Sequence, residues 1–309
     1  MTQQPAPSAA LRASDPRLPT AAAWLARGPG HRDPDITVVG VPTFATSIQP
    51  SGAHATPLAV RRQLARLSTW CGSRRLDVGD LAAWDRGDVD DPDIEVEGEW
   101  RVRAAAETAV VKSRLTVALG GDTSLTYPVM TGGFGHDLER AGLVAFAPYH
   151  GIREGRSNAS VVRRLIDAGL DGERVVQIGV ADWSNSRSYA DEAHARGVTS
   201  VTADQIEHQG VVECMREALS IAASARGPVY VAIDLSVCDR AIAPACEASL
   251  PGGLLARQIL QAAWLAGQDP NVRIVDITEV DATRDPDERT VRLAALCFLE
   301  IAAGLLSRP

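Results

Sequence analysis

The stretch "LVAFAPYHGIREGRSNAS" at residues 143–160 joins a short apolar run to a polar loop. Its first part, LVAFA (143–147), contains no polar residue and suits a strand that is buried on both faces of a parallel sheet. Its second part begins with PYHG (148–151), directly after that strand. Open parallel sheets bind ligands at the carboxyl ends of their strands. The stretch therefore predicts an α/β fold with a binding site at this strand end.

Similar apolar runs recur along the chain, with amphipathic segments between them. The runs predicted as strands are ITVVGV (36–41), TVALG (116–120), LVAFA (143–147), RVVQIGV (174–180), VYVAID (229–234) and VRIVDIT (272–278). The segments predicted as helices include residues 57–70, 160–170 and 253–267. This alternation predicts a three-layer, doubly wound α/β fold with a mainly parallel sheet. We expect residues 1–34 to form an N-terminal arm and residues 35–309 one domain, with a division into two domains near residue 180 as the alternative.

Composition limits the classes of partner. The chain has 309 residues, of which 45% are hydrophobic, so it can bury a substantial core. Its 31 basic and 39 acidic residues give a net charge of −8, which disfavours nucleic acids and anionic membranes. The five cysteines show no CxxC spacing, and no apolar run is long enough to span a membrane. We expect a cytoplasmic protein with a small-molecule partner.

Eight motifs in collinear order resemble the ureohydrolases, the family of arginase, agmatinase and formimidoylglutamase. They are GVP (40–42), SGAHATPLAVR (51–61), DVGD (77–80), ALGGDTS (118–124), SNAS (157–160), AIDLSVCDRAIAPA (232–245), PGG (251–253) and DITEVDATRD (276–285). The SNxS loop looks most like that of formimidoylglutamase. The resemblance covers nearly the whole chain. It implies an arginase-like fold and a homo-oligomer, either a trimer or a hexamer.

The resemblance also implies a metal centre, which this sequence departs from. The family holds two manganese ions through a His in GGDH, two Asp and a His in DAHxD, and two Asp in SxDxD. The matching positions here are Thr123, Ala147, Tyr149, Gly151, Asp234 and Ser236. Only Asp234 keeps the ligand type, and His150 falls on the variable position of DAHxD. We therefore expect no metal and no other cofactor. A single ion held by Asp234, His150 and Asp122 is the alternative.

Several residues match substrate-side groups of the family. Glu279 matches the glutamate near the cationic end of the substrate, where a carboxylate suits a planar cation. Ser157 and Asn158 match the loop that contacts the amino-acid part. The substrate-binding residues that we predict are Ser157, Asn158, Asp122, Thr123, Ser236 and Asp239.

Four residues at or next to strand ends are candidates for acid and base roles: Tyr149, His150, Asp234 and Glu279. Tyr149 has a structural alternative, in which its ring fills the space of the metals and its hydroxyl bonds to Asp234 or Ser236. His150 is a candidate because histidine is the commonest general acid or base, and its alternative is a loop histidine that faces solvent.

Three further features are predicted to be structural rather than functional. Cys238 could act as a nucleophile, but a small packing residue is favoured. His54 is expected to have a structural role. The acidic segment DDPDIEVEGEW (90–100) is interpreted as a solvated surface segment.

Three functions remain open. The favoured hypothesis is a repurposed, metal-independent enzyme that acts on an amino-acid-derived molecule with an amidine or guanidine group, by elimination, cyclisation or isomerisation. The first alternative is a non-catalytic protein that binds a ligand or forms a heteromer with an active paralogue. The second alternative is a residual hydrolase of the formimidoylglutamase or agmatinase type.

Overall fold

The computed structural model describes residue 15 and residues 17–308. Its centre is an eight-stranded sheet in the order β4-β1-β5-β10-β9-β6-β7-β8, in which all neighbouring strands pair in parallel. These strands are β1 (Ile36–Val41), β4 (Ala83–Asp88), β5 (Leu115–Gly120), β6 (Gly142–Phe146), β7 (Val175–Val180), β8 (Thr199–Thr202), β9 (Val229–Asp234) and β10 (Val272–Thr278). Two short strands, β2 (Trp70–Cys71) and β3 (Leu76–Asp77), form a separate antiparallel pair.

Helices cover both faces of the sheet. They are α1 (Ala21–Ala26), α2 (Thr56–Leu64), α3 (Glu97–Lys112), α4 (Thr126–Phe134), α5 (Val161–Asp167), α6 (Arg187–Ala195), α7 (Ala203–Gln209), α8 (Val211–Ala222), α9 (Ala256–Gln268) and α10 (Arg289–Leu306). The predicted three-layer, parallel α/β fold is confirmed.

The core lies in two layers, one on each side of the sheet. Alternate residues of a strand point to opposite faces. In β5, Val117 packs in the layer of α2, α8, α9 and α10, whereas Ala118 packs in the layer of α3, α4, α5 and α6. All six residues of β5 are buried. This two-sided burial explains why the central strands have uninterrupted apolar sequences.

The structure differs from the predicted elements at the edges. The edge strands β4 (AWDRGD) and β8 (TSVT) were not predicted, because their sequences are polar and partly exposed. Within the expected arm, α1 packs on the core through buried Trp24 and Leu25. Residues 1–14 and 16 of that arm lie outside the described residues, and the division into an arm and one domain stays a prediction. No helix in the described part of the chain is long and apolar enough to cross a membrane.

Candidate active site

The site lies where the middle strands of the sheet end. Three backbone segments meet just beyond β5. The Asp122 N–H donates to the Thr43 carbonyl (2.9 Å), and the Glu279 N–H donates to the Gly121 carbonyl (2.9 Å). A side chain at residue 121 would overlap backbone atoms of Thr43, so only glycine fits at this crossing. The crossing brings the ends of β1, β5 and β10 together.

Glu279 follows β10 and has a left-handed backbone conformation (φ 68°). Its Oε1 accepts hydrogen bonds from the Thr123 N–H (2.7 Å), the Thr123 hydroxyl (2.8 Å) and the Asn158 amide (3.1 Å). Burial, and then the charge of Asp122, raises the pKa of Glu279 to about 7. Strained backbone of this kind is often found at functional sites. The carboxyl group is thus fixed through one oxygen, and no described residue donates to Oε2.

Asp122 lies directly after β5 and is fully buried. Its Oδ1 accepts hydrogen bonds from the N–H and hydroxyl of Ser124, and its Oδ2 accepts one from the Ser47 hydroxyl (2.5 Å). These bonds satisfy the carboxylate without a cation. Asp122 therefore holds the loop that follows β5 and joins it to Ser47.

Asp234 ends β9 and is 1% exposed. Its Oδ1 accepts a hydrogen bond from the Ser236 N–H (2.7 Å). Its Oδ2 and the Ser236 hydroxyl are buried, and neither has a hydrogen-bond partner among the described residues. Burial raises the pKa of Asp234 well above its usual value, and the charge of Glu279 raises it further. This carboxyl group is held in a place that strongly favours its neutral form.

Tyr149 occupies the position between these carboxyl groups. Burial raises its pKa well above the usual value, and the charges of Glu279 and Asp234 raise it further. Interaction with the Tyr149 side chain lowers the pKa of Asp234. Tyr149 also lines the cavity described below. The raised pKa of Tyr149 keeps its phenol neutral.

His150 is held by three hydrogen bonds and is 5% exposed. The Gln177 amide Nε2 donates to the His150 carbonyl (2.8 Å), so Gln177 Oε1 is the acceptor for His150 Nδ1 at 2.7 Å. The His150 N–H donates to Asn185 Oδ1 (3.1 Å). The expected alternative of a solvent-facing histidine is wrong, because the ring is buried and bound to a strand.

A cavity of about 520 Å³ opens above these strand ends. Four predicted site residues line it: Tyr149, His150, Asn158 and Glu279. Residues that were not predicted also line it, among them Ser47, Ile48, Arg153, Trp183 and Asn185. Trp183 is 94% exposed at the cavity. In the sequence, Arg153 could have been predicted as a cavity residue only from its place in the loop that follows β6. Trp183 could have been predicted only from its place near the end of β7.

Six other predicted site residues do not line the cavity: Asp122, Thr123, Ser157, Asp234, Ser236 and Asp239. Ser157 bonds within its own loop, where its N–H donates to the Ser160 hydroxyl (2.8 Å). Asp239 accepts hydrogen bonds from the N–H groups of Ala241 and Gly252 (both 2.8 Å) and so orders the loop after β9. Cys238 is fully buried, and burial raises the pKa of its thiol, as expected for a packing residue.

Manganese does not fit the residues at the positions that the resemblance assigns to it. Asp234 supplies one carboxylate there, and Ser236 and Thr123 supply hydroxyl groups. Across residues 15 and 17–308, no group of three or more His, Cys, Asp or Glu side chains could hold a metal ion. The same finding tells against a single ion held by Asp234, His150 and Asp122.

The chain belongs to the arginase family, whose model matches residues 34–304. Within that family it is similar to formimidoylglutamases. That of Halalkalibacterium halodurans is 31% identical over 283 residues, which cover 89% of this chain and 88% of the relative. The formimidoylglutamase of Bacillus subtilis is 28% identical over 280 residues, which cover 88% of each. Its crystal structure has a TM-score of 0.88 at 26% identity and covers 96% of this chain and 94% of that one.

These comparisons contradict the favoured hypothesis of a repurposed, metal-independent enzyme. The two relatives described above, which match over most of the chain, are both formimidoylglutamases. They favour the alternative of a formimidoylglutamase- or agmatinase-type hydrolase over elimination, cyclisation or isomerisation.

Proposed function

We propose that the protein is a formimidoylglutamase-type hydrolase, with residual activity. Its cavity takes an amino acid that carries a formimidoyl, amidine or guanidine cation, and any turnover is hydrolysis of a C–N bond in that group. The family relationship supports the reaction class. Five free cysteines among the described residues support a cytoplasmic location, and homo-oligomer formation remains an expectation from the resemblance.

One observation carries the ligand class: three buried carboxyl groups that lie close together without a cation. Asp122, Asp234 and Glu279 are 0%, 1% and 9% exposed. Asp234 pairs across the sheet with Thr278, the residue before Glu279, and Glu279 accepts a hydrogen bond from Thr123, the residue after Asp122. No described Arg, Lys or His forms an ion pair with any of them. A buried carboxylate is costly unless it is neutralised or meets a cation. A planar cationic ligand at Glu279 Oε2 supplies that partner.

The rim of the cavity carries one positive charge, opposite in sign to the buried carboxylates. Arg153 lines the cavity, is exposed, and forms no ion pair with any described carboxylate. Arginine suits recognition of a carboxylate. The Glu279 carboxyl group in the cavity lining and the Arg153 guanidinium at the rim together fit a molecule with a cation at one end and a carboxylate at the other, which is the form of formimidoylglutamate and of guanidino acids.

The residues in and beneath the cavity have different roles in ligand binding. Glu279 contacts the cation, while Thr123 and Asn158 fix the orientation of its carboxyl group. The neutral Tyr149 phenol lines the cavity and offers a hydrogen-bond donor to the ligand. Asp234 and His150 remain candidate acid and base groups. A weak rate is expected, because none of the described residues at the site is a strong activator of water.

Calorimetry with N-formimidoyl-L-glutamate and 4-guanidinobutanoate tests the ligand class. We expect both to bind, and Glu279→Gln to weaken binding by at least about tenfold, the scale of a charged hydrogen bond. Glu154→Gln, at an exposed position, is the control. Release of formamide or urea should accompany any turnover. Failure of both compounds to bind, or formation of a product that keeps the C–N bond, would overturn the proposal.

A further inference from the structure

Two residues of the acidic segment at 90–100 are not simple solvated charges: Glu99, which forms ion pairs with Arg156 and Arg164, and Asp93. Asp93 is half-buried, and its Oδ2 accepts hydrogen bonds from the N–H groups of Phe44 (3.0 Å) and Ala45 (3.2 Å). Its neighbours Asp90 and Asp91 are exposed. The expectation of a purely solvated segment is therefore wrong at Asp93, which holds a loop 48 or 49 residues away in sequence.

The loop that Asp93 holds forms one wall of the cavity. Ser47 and Ile48 line the cavity. The Ser47 hydroxyl donates to Asp122, and the Ile48 N–H donates to Asn158 Oδ1 (3.2 Å). The loop thus contacts both Asp122 and Asn158.

Asn158 connects the loop to Glu279. Its backbone N–H donates to the Thr46 carbonyl (3.4 Å), and its side-chain amide donates to Glu279 Oε1 (3.1 Å). The loop at 44–48 therefore positions the Asn158 amide, which in turn positions the Glu279 carboxyl group. A displacement of the loop is expected to loosen Asn158 and, through it, Glu279.

The surroundings of Asp93 explain how it holds the loop. Burial raises its pKa, whereas its two backbone hydrogen bonds lower it, as does the neighbouring His54. The His54 ring packs on Phe44, with 4.6 Å between ring centroids. Phe44 is thus held by its N–H through Asp93 and by its side chain through His54.

We propose that Asp93 is a positioning residue for the candidate site, which acts through the 44–48 loop and Asn158 on Glu279. The ligand readout of this inference rests on the proposed function, whereas its effect on the loop does not. Asp93 contacts neither the ligand nor Glu279. Its role is to hold the 44–48 loop in contact with Asp122 and Asn158.

Amide hydrogen exchange and binding of 4-guanidinobutanoate test this role. We expect Asp93→Ala to speed exchange at Phe44, Ala45 and Ile48, and to raise the Kd about tenfold, since two backbone N–H groups lose a charged acceptor. Asp93→Asn keeps an acceptor oxygen and should restore the Kd to within about threefold of the wild type. Asp90→Ala removes a carboxylate whose side chain makes no described hydrogen bond, and it keeps the Asp90 carbonyl that accepts from Arg101; it is the control.

The results separate the role of Asp93 from the proposed function. Equal exchange in Asp93→Ala and Asp90→Ala overturns the positioning role, as does faster exchange with an unchanged Kd. If the wild type binds no probe, the proposed function fails, and exchange at Ile48 then decides: faster exchange supports the role and unchanged exchange overturns it. If Asp93→Ala does not fold, Asp93→Glu, which misplaces the acceptor, is judged by the same measurements.

Discussion

Thr123 donates twice to the same oxygen of Glu279, through its backbone N–H and through its hydroxyl. The resemblance places a metal-binding histidine of the family at residue 123, but here the side chain of that residue orients a carboxyl group. Glu279 Oε2 is left for the cavity. This pairing makes Thr123 part of the ligand-binding site.

Replacement of Thr123 by valine should weaken cation binding. Valine keeps the shape and the backbone N–H but lacks the hydroxyl, which lowers the pKa of Glu279. The pKa should therefore rise further, and at pH 7 we expect a loss of about 5- to 20-fold in affinity for 4-guanidinobutanoate by calorimetry. Thr108→Val is the control, because the Thr108 hydroxyl bonds to the Ala104 carbonyl on an exposed helix surface. Equal affinities in the two variants would contradict the role of the hydroxyl.

Glu279 should make the stability of the protein fall as the pH rises. Its pKa is raised in the folded state from 4.5 to about 7, so between these values the folded state holds a proton that the unfolded state has released. Its contribution is fully present below about pH 4.5 and is lost as the pH rises through 7. The loss is about 3 kcal/mol in the free energy of unfolding, as an order of magnitude.

Urea denaturation between pH 5 and pH 8 checks this dependence. Glu279→Gln removes the titrating group and keeps an acceptor oxygen for Thr123 and Asn158. We expect the variant to lose less stability than the wild type over that range. Parallel pH profiles for the two proteins would show that Glu279 does not titrate there.

Removal of the Tyr149 hydroxyl should destabilise the protein. Interaction with the partly buried Tyr149 side chain lowers the pKa of Asp234, whose buried Oδ2 has no described hydrogen-bond partner. Tyr149→Phe is expected to lower the free energy of unfolding by about 1–3 kcal/mol in urea denaturation. Tyr189→Phe serves as the control, because the Tyr189 hydroxyl lines the same cavity without a described hydrogen bond. Equal midpoints for the two variants would indicate that Tyr149 only fills space.

The protein should not retain a manganese pair. After incubation with excess Mn²⁺ and desalting, we expect elemental analysis to find far fewer than two ions per chain, since an ion normally needs about three protein ligands. Added chelator should leave the Tm unchanged. The formimidoylglutamase of Bacillus subtilis, treated in parallel, is the comparison. Two ions per chain that survive desalting would refute this prediction.

The central fold was predictable because buried parallel strands have continuous apolar sequences. The β9 and β10 bounds match the predicted runs at 229–234 and 272–278. Edge strands such as β8 have no such pattern, because one side of each edge strand is open to solvent. Helix α2 ends at Leu64 rather than at residue 70, and Trp70 instead begins the small antiparallel pair.

The candidate site was predictable only where a strand ends. Glu279, Asp234 and Asp122 follow parallel strands, whose carboxyl ends must meet at one edge. Asp93 has no such relation, and its contact with Phe44 joins two loops distant in sequence. The binding of His150 by Gln177 had a weak signal, a single buried amide in the apolar run VVQIGV. Sequence periodicity does not show which loop a polar side chain will reach.

Gly121 has a consequence for protein engineering. Because the backbones of Thr43 and Gly121 are in contact, a library built on this scaffold should tolerate exchanges at Thr123, Ser47 and Arg153 far better than any at residue 121. Selectivity for new ligands is then best sought by varying loop side chains at constant loop length. A saturation screen of residues 43–49 and 119–125 would map this boundary between exchangeable chemistry and fixed geometry.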